Sequence, residues 1–232
     1  DFIRVYADYR NAFMPAAMDF GLDASPEILQ PETADSYEAG VKTRAFGGRL
    51  DAELSFFQMD MNNLVVSQSV DGVPALVNGG SERFRGAEVE IEAHVEDALF
   101  VRANYALHDA RFRDYVQDFD GTPTQLGGKR LEMSPRNLAS LGVLWAPKKG
   151  FGAHADVEYV GSLYLNKRNT ALAPSYVTWS AGIGYRARRF EVRLDGRNLG
   201  DRRPPVAESE VGDAQYYRMF ARHVEASVRF EF

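Results

Sequence analysis

Glu88, Glu90 and Glu92 put three carboxylates on alternate positions of one short segment. In an extended strand alternate residues share a face, so the three would stack side by side and could receive a divalent cation. Arg102, on the next segment, stands ready to neutralise them, and pairing with that guanidinium is the expected outcome. His94, His108, His154 and His223 are scattered, and no two have the spacing of a metal-ligand pair, so they read as polar wall residues rather than ligands. No catalytic constellation is present, and neither an enzymatic activity, a metal nor a cofactor is expected. Molecular recognition is a different matter. Tyr115, Phe119, Tyr164, Tyr216, Tyr217 and Arg218 fall between the regular segments and combine aromatic area with a cation, a set suited to an anionic ligand bearing aromatic groups. The competing reading is that they pack the loops against one another.

The elements that must position these residues have a period of two. The last stretch shows it plainly: Val224, Ala226, Val228, Phe230 and Phe232 alternate with Glu225, Ser227, Arg229 and Glu231. The same pattern recurs over 2–9, 36–46, 49–60, 83–95, 99–111, 136–146, 151–161, 176–185 and 190–199. About ten strands result, near or above the 9–11 residues that a tilted membrane-crossing strand requires. Short turns are expected at Gly47-Gly48, Asp97, Pro147 to Gly150 and Ala187-Arg188. Long loops are expected over Arg10 to Asp35, Met61 to Glu82, Phe112 to Met133, Leu163 to Ser175 and Gly200 to Phe220. Turns and loops alternate strictly, which places them on opposite rims. The fold class expected is all-β: an antiparallel up-and-down transmembrane β-barrel segment with the turns periplasmic.

Composition agrees. Charged residues make up 26% of the 232, and no run of 18 apolar residues occurs, so a transmembrane helix is excluded. Barrel strands give only half their side chains to lipid and score as hydrophilic, as the mean hydropathy of −0.34 does here. A net charge of −6 argues against a nucleic-acid partner. There are no cysteines, so disulfides and thiolate metal sites are absent. Phe46, Phe100, Trp145, Phe151, Tyr185, Phe190 and Phe232 fall beside the short turns, and Tyr9, Tyr37, Tyr159 and Tyr176 near the opposite ends, as two interfacial belts would require. The polar stripe, with Glu38, Lys42, Arg44, Asp51, Glu53, Asp156, Glu158, Arg193 and Asp195 among its members, would face a hydrated interior with most charges paired.

Several short motifs then occur in order. Leu29-Gln30-Pro31-Glu32 precedes Ser36-Tyr37-Glu38-Ala39-Gly40-Val41-Lys42, and Phe56 through Asn63 follows. Asn78-Gly79-Gly80 and Gly86-Ala87-Glu88-Val89-Glu90 lead into the next strand. Gly128-Lys129-Arg130-Leu131 with Ser134-Pro135-Arg136-Asn137, Gly196-Arg197-Asn198-Leu199-Gly200-Asp201 and the aromatic terminus complete the series. Together they resemble the C-terminal barrel half of a TonB-dependent outer-membrane receptor. Gly200 departs from that pattern, where an aromatic is more usual.

The resemblance implies that residues 1–232 form one C-terminal portion of a plugged, 22-stranded barrel in the Gram-negative outer membrane. Asp1 already lies in an alternating segment and no signal peptide is seen, so under this reading an N-terminal part is missing, with the plug and the TonB box in it. The implied function is active transport, foremost of ferric siderophores, with haem, cobalamin and carbohydrate as alternative cargoes. The implied partners are outer-membrane lipid, the TonB complex through that missing region, an iron chelate at the loops, and the barrel assembly machinery, which reads Val224, Ala226, Val228, Phe230 and Phe232 as an insertion signal. Two other classes stand beside this one: a closed ten-stranded outer-membrane enzyme such as a surface protease, and a soluble β-sandwich binding module.

Overall fold

The computed structural model describes residues 1–15, 29–70, 73–119, 121–209 and 215–231. In chain order the strands are β1 (Phe2–Met14), β2 (Glu32–Ala45), β3 (Leu50–Val70), β4 (Val73–Glu96), β5 (Leu99–Phe119), β6 (Thr122–Gln125), β7 (Asn137–Trp145) and β8 (Gly150–Val160). There follow β9 (Leu163–Tyr164), β10 (Leu172–Ala173), β11 (Tyr176–Arg186), β12 (Phe190–Arg197), β13 (Pro205–Ser209), β14 (Gln215–Arg218) and β15 (His223–Phe230). Ten of them form one antiparallel path in the order β1-β2-β3-β4-β5-β7-β8-β11-β12-β15. β6 pairs with β5, and β9–β10 and β13–β14 are separate two-stranded pairs. The meander is the one expected. β1 and β15 are its two ends, so among the described strands the path does not close on itself, and a complete ten-stranded circuit is not formed.

Alternation sorts the side chains into two faces. One register row runs Leu54↔Val89↔Tyr105↔Ala139↔Tyr159↔Val177 and carries apolar groups from six strands. The next row runs Lys42↔Glu53↔Glu90↔Asn104↔Ser140↔Glu158↔Thr178 and is polar throughout. Among the described residues no second layer covers the apolar face at mid-strand: Ile183 is 61% exposed and Leu141 49%, although both strands have neighbours on each side. A sandwich would bury those positions; a lipid-facing wall leaves them open.

Two aromatics depart from the expected belts. Phe100 pairs with Leu144 and meets the His94 ring edge-to-face with centroids 4.7 Å apart, which puts it on the polar face. Tyr176 pairs with Val160 on that same face. Both are one residue out of step with the apolar stripe of their strands. Trp145, Phe151, Tyr185 and Phe190 lie on the apolar face as expected, and Phe151, Tyr185, Phe190 and Phe230 form a file of ring contacts at 5.0, 6.2 and 6.2 Å; Phe46 sits in the turn after β2, and Phe232 lies outside the described residues. Tyr9 and Tyr37 make the matching contact, at 5.0 Å, on the opposite rim.

The long excursions also differ in substance. β3 and β4 continue across the expected loop at Met61 to Glu82 as a paired hairpin, with a register shift between Met61 and Leu64 where Asn63 takes a positive φ of 58°. β5 likewise runs on to Phe119 and pairs with β6. Backbone amides in these extensions still need partners, and β-prone stretches such as Leu64-Val65-Val66 supply them by extending the ladder.

Candidate ligand-binding mouth

Three of the quoted motifs interlock at the base of the β3–β4 extension. The Asn78 side chain accepts the Gln30 amide at 2.6 Å and donates to the carbonyls of Gln30 and Asn63 at 2.9 and 2.8 Å. Asn63 in turn donates to the Pro31 carbonyl at 3.3 Å, and Glu32 accepts the Val65 amide at 2.7 Å. The last motif works the same way. Asn198 binds the carbonyls of Arg202 and Phe220 at 2.7 and 2.9 Å, and Asp201 accepts the Arg222 amide at 2.9 Å. Gly200 lies against Trp179; a Cβ there would stand 3.2 Å from the indole Nε1, so a small residue at this position gives the tryptophan room. These motifs are clasps that launch loops from the wall.

Above the clasps, two loops dock together. Asn169, at φ 57°, accepts the Arg130 amide and donates to the Arg130 carbonyl, each at 2.8 Å. The Met133 amide reaches the Tyr164 carbonyl at 2.8 Å, and the Lys129 ammonium reaches the Arg168 carbonyl at 2.9 Å. Phe112, Tyr115 and the fully buried Leu126 form a small core joined by Val66, Phe119 and Leu131. Leu163, Leu165 and Ala173 form a second beside it.

The structure brings three of the six proposed contact residues into this unit, each with a cation over its ring. Tyr115 is buried, its ring 5.0 Å from Phe112, with the Lys167 ammonium 5.5 Å from its centre. Arg168 lies 4.7 Å from the Phe119 ring and Arg130 lies 5.7 Å from that of Tyr164. Tyr217 and Arg218 stand apart on β14, with Tyr217 62% exposed. As strand neighbours they point to opposite sides. Tyr216 shares that strand, but its side chain lies outside the described residues.

Lys129, Arg130, Lys167, Arg168 and Asn169 are absent from the six, although the turn-forming runs around Gly128 and Asn166 mark loops that need side-chain caps. Beneath the docked loops Glu132 stands 4.0 Å from Lys167. Burial, and then the nearby Glu132 carboxylate, push Glu82 above the usual carboxylate range, against the opposing charge of Lys167.

The polar face below is knit by pairs. The Tyr6 hydroxyl lies 2.7 Å from a Glu38 oxygen and 2.8 Å from a Glu53 oxygen, its single proton shared between the two carboxylates, while Lys42 approaches Glu53 at 2.9 Å. The Tyr6 ring occupies the space above Gly40, where a Cβ would come within 2.6 Å of it. Of the three stacked carboxylates, Glu92 pairs with Arg102 and Glu88 with His108. His154 sits between Asp156 at 3.8 Å and Asp195 at 3.7 Å. On the other face Val224, Ala226, Val228 and Phe230 of β15 pair with Gly196, Leu194, Val192 and Phe190 of β12, and Phe232 lies outside the described residues.

Comparison with known proteins places this architecture. The family model "TonB dependent receptor-like, beta-barrel" matches residues 1–199. The ferrioxamine receptor of Yersinia enterocolitica is 25% identical over 244 residues, covering 99% of this chain and 31% of that protein. The ferric-pyoverdine receptor of Pseudomonas sp. strain M114 is 27% identical, with 97% and 28% covered. Among solved structures, the ferric yersiniabactin uptake receptor of Yersinia pestis superposes with a TM-score of 0.83 at 19% identity, covering 100% of this chain and 35% of that one. The siderophore receptor PiuA of Acinetobacter baumannii gives 0.84 at 21% identity, with 98% and 34% covered. The chain thus spans about a third or less of the length of these relatives. With the strand meander, the two-faced wall and the sequence match over residues 1–199 in agreement, the chain belongs to the TonB-dependent receptor-like β-barrel family.

Proposed function

We propose that residues 1–232 are the C-terminal portion of the barrel of a Gram-negative outer-membrane receptor that takes up a ferric siderophore by TonB-driven transport. The observation that carries this reading is the two-faced wall: an ordered antiparallel meander whose apolar face is uncovered at mid-strand and whose other face is a paired ionic network. Hydrocarbon on one side and water on the other is the environment such a wall satisfies. The relatives named above are ferrioxamine and ferric-pyoverdine receptors, which supports an iron chelate as cargo.

In this reading the loops capture the ligand and chemistry at the iron is not required of the protein. The plug and the TonB-contacting segment belong to parts of the protein other than these residues, and the barrel assembly machinery recognises the β15 stripe ending at Phe232. Tyr216, Tyr217 and Arg218 are the proposed ligand contacts on β14, where an exposed ring and a cation stand free of the docked loops. The test uses the whole receptor in a strain without its own siderophore receptors. Alanine at Tyr216, Tyr217 and Arg218 together is expected to lower uptake of iron-loaded siderophore at least fivefold with barrel abundance unchanged. Undiminished uptake removes this hairpin from the site.

A further inference from the structure

Beneath the docked loops, charged side chains from four elements act on one another. Glu32 comes from β2, Glu82 from β4, Glu132 from the loop after β6 and Lys167 from the loop between β9 and β10. The residues opposite Glu82 on its neighbouring strands, Met61 of β3 and Phe112 of β5, are uncharged. Three carboxylates therefore face one ammonium. With all four ionised the group carries excess negative charge in a half-buried place, where repulsion is screened less than at the surface.

Hydrogen bonding is unbalanced in the same direction. Glu32 has one oxygen on the Val65 amide. Glu132 turns Oε1 toward Lys167 at 4.0 Å, longer than a hydrogen bond, and that ammonium also lies 5.5 Å from the centre of the Tyr115 ring. Glu132 Oε2 is buried and has no hydrogen-bond partner among the described residues. A buried acceptor without a donor is costly, and neither Met61 nor Phe112 has a side chain that can donate. Glu82 can when protonated, since a carboxylic acid is a donor and a carboxylate is not. Burial first, then the Glu132 charge and last that of Glu32 favour its neutral form, against Lys167.

Both docked loops are anchored beside this group. Glu132 lies between Arg130 and Met133, whose amides reach Asn169 Oδ1 and the Tyr164 carbonyl, each at 2.8 Å. The Asn169 side chain also reaches the Lys167 carbonyl at 3.4 Å. Repulsion that moves Glu132 away from Glu82 therefore loosens the contacts that seat one loop on the other.

We propose that the docked loops form a pH-operated latch: a proton held between Glu82 and Glu132 seats them over β4, and its loss releases them. Only a proton moves: Glu82 takes it from water, holds it in a hydrogen bond to Glu132 Oε2, and returns it to water as pH rises. The latch contributes fully below the unfolded carboxyl value of about 4.3 and is lost as pH rises through the folded value of Glu82. The inference rests on the receptor reading only in calling these loops part of a mouth.

The experiment takes the whole receptor in detergent and follows hydrogen exchange at the Arg130 and Met133 amides from pH 4.5 to 8.5, corrected for the intrinsic effect of pH on exchange. Both amides are expected to be at least threefold better protected at the acid end. The Leu199 amide, bonded to the Trp179 carbonyl at 2.9 Å below the β13–β14 hairpin, is expected to show no such change. E82Q is expected to abolish the transition and to leave the loops protected throughout. E132Q removes a charge that favours protonated Glu82 and is expected to move the midpoint to lower pH. K167M removes the opposing charge and is expected to move it to higher pH. A flat profile in the parent overturns the proposal, as does an E82Q receptor that keeps the transition. Midpoints that stay put, or that move the opposite way in both E132Q and K167M, also overturn it. A receptor that stays monomeric in water without detergent overturns the receptor reading instead and leaves the latch standing, so the two failures are distinguishable.

Discussion

The docked loops over residues 112–136 and 161–173 and the β13–β14 hairpin both rise from the same rim, yet they are held by different forces. The docked pair has a core of its own, with Leu126 fully buried, and side-chain caps reaching between loops through Asn169 and Lys129. The hairpin hangs from the Asn198 and Asp201 clasp at its base, while Tyr217 stands open and Phe220 is 90% exposed. In the first region Phe112 and Tyr115 are buried in packing, and the half-buried Phe119 and Tyr164 lie beside cations. Tyr217 and Phe220 in the second are left facing out. Composition alone does not separate the two uses of an aromatic loop residue; burial does.

The contrast can be broken most directly at Leu126. Leu126→Ala should cost roughly 2–5 kcal/mol, as deletion of a buried leucine side chain does, and should expose the docked pair to limited proteolysis. Phe220→Ala, on the same assay, should change stability by no more than about 0.5 kcal/mol. Equal effects would mean that the two regions are not held differently.

A smaller effect is expected at Asn169, whose side chain satisfies both backbone groups of Arg130 while its own backbone adopts a left-handed conformation. Asn169→Ala should cost about 1–3 kcal/mol by leaving those groups unpaired, seen as faster hydrogen exchange at the Arg130 amide. Asn169→Gly keeps the backbone conformation and loses only the hydrogen bonds, so it should fall between parent and alanine. An alanine variant with parental exchange would show that the loops dock through their apolar cores alone.

The smallest effect concerns pH. Glu82 has its carboxyl raised by burial and by Glu132. A carboxyl raised in the folded state favours folding when protonated; that contribution is full below its unfolded value, about 4.3, and is lost as pH rises through the folded value. Above that folded value the ionised Glu82 therefore works against the docked mouth. Glu82→Gln should make the mouth more resistant to proteolysis at pH 7, with the advantage shrinking as the pH is lowered toward 4. An advantage that grows on acidification would reverse the sign and place the strain elsewhere. The clasped hairpin should show no such dependence on Glu82 at either pH.

Much of this architecture was legible from residue order. The meander, its turns and its two faces follow from alternation that each strand displays by itself, and the family motifs stood in their proper sequence. What those motifs do was not legible. Gln30, Asn63 and Asn78 are separated by many residues and meet only because β2, β3 and β4 pair in one particular register. Nearness to strand ends places Phe100 and Tyr176 in the belts, but a single residue of parity carries them to the other face. Asparagines and glycines give the β3–β4 extension the look of a loop in sequence, although the ladder absorbs them in a bulge.

By itself the sequence determined strand periodicity, the polarity of each face and the alternation of short and long connections, because side-chain direction in an extended chain is a property of local covalent geometry. Only the tertiary structure decided which aromatics are covered and which carboxylates are neutralised. Those outcomes depend on register between distant segments, where a shift of one residue exchanges the two faces and every contact on them.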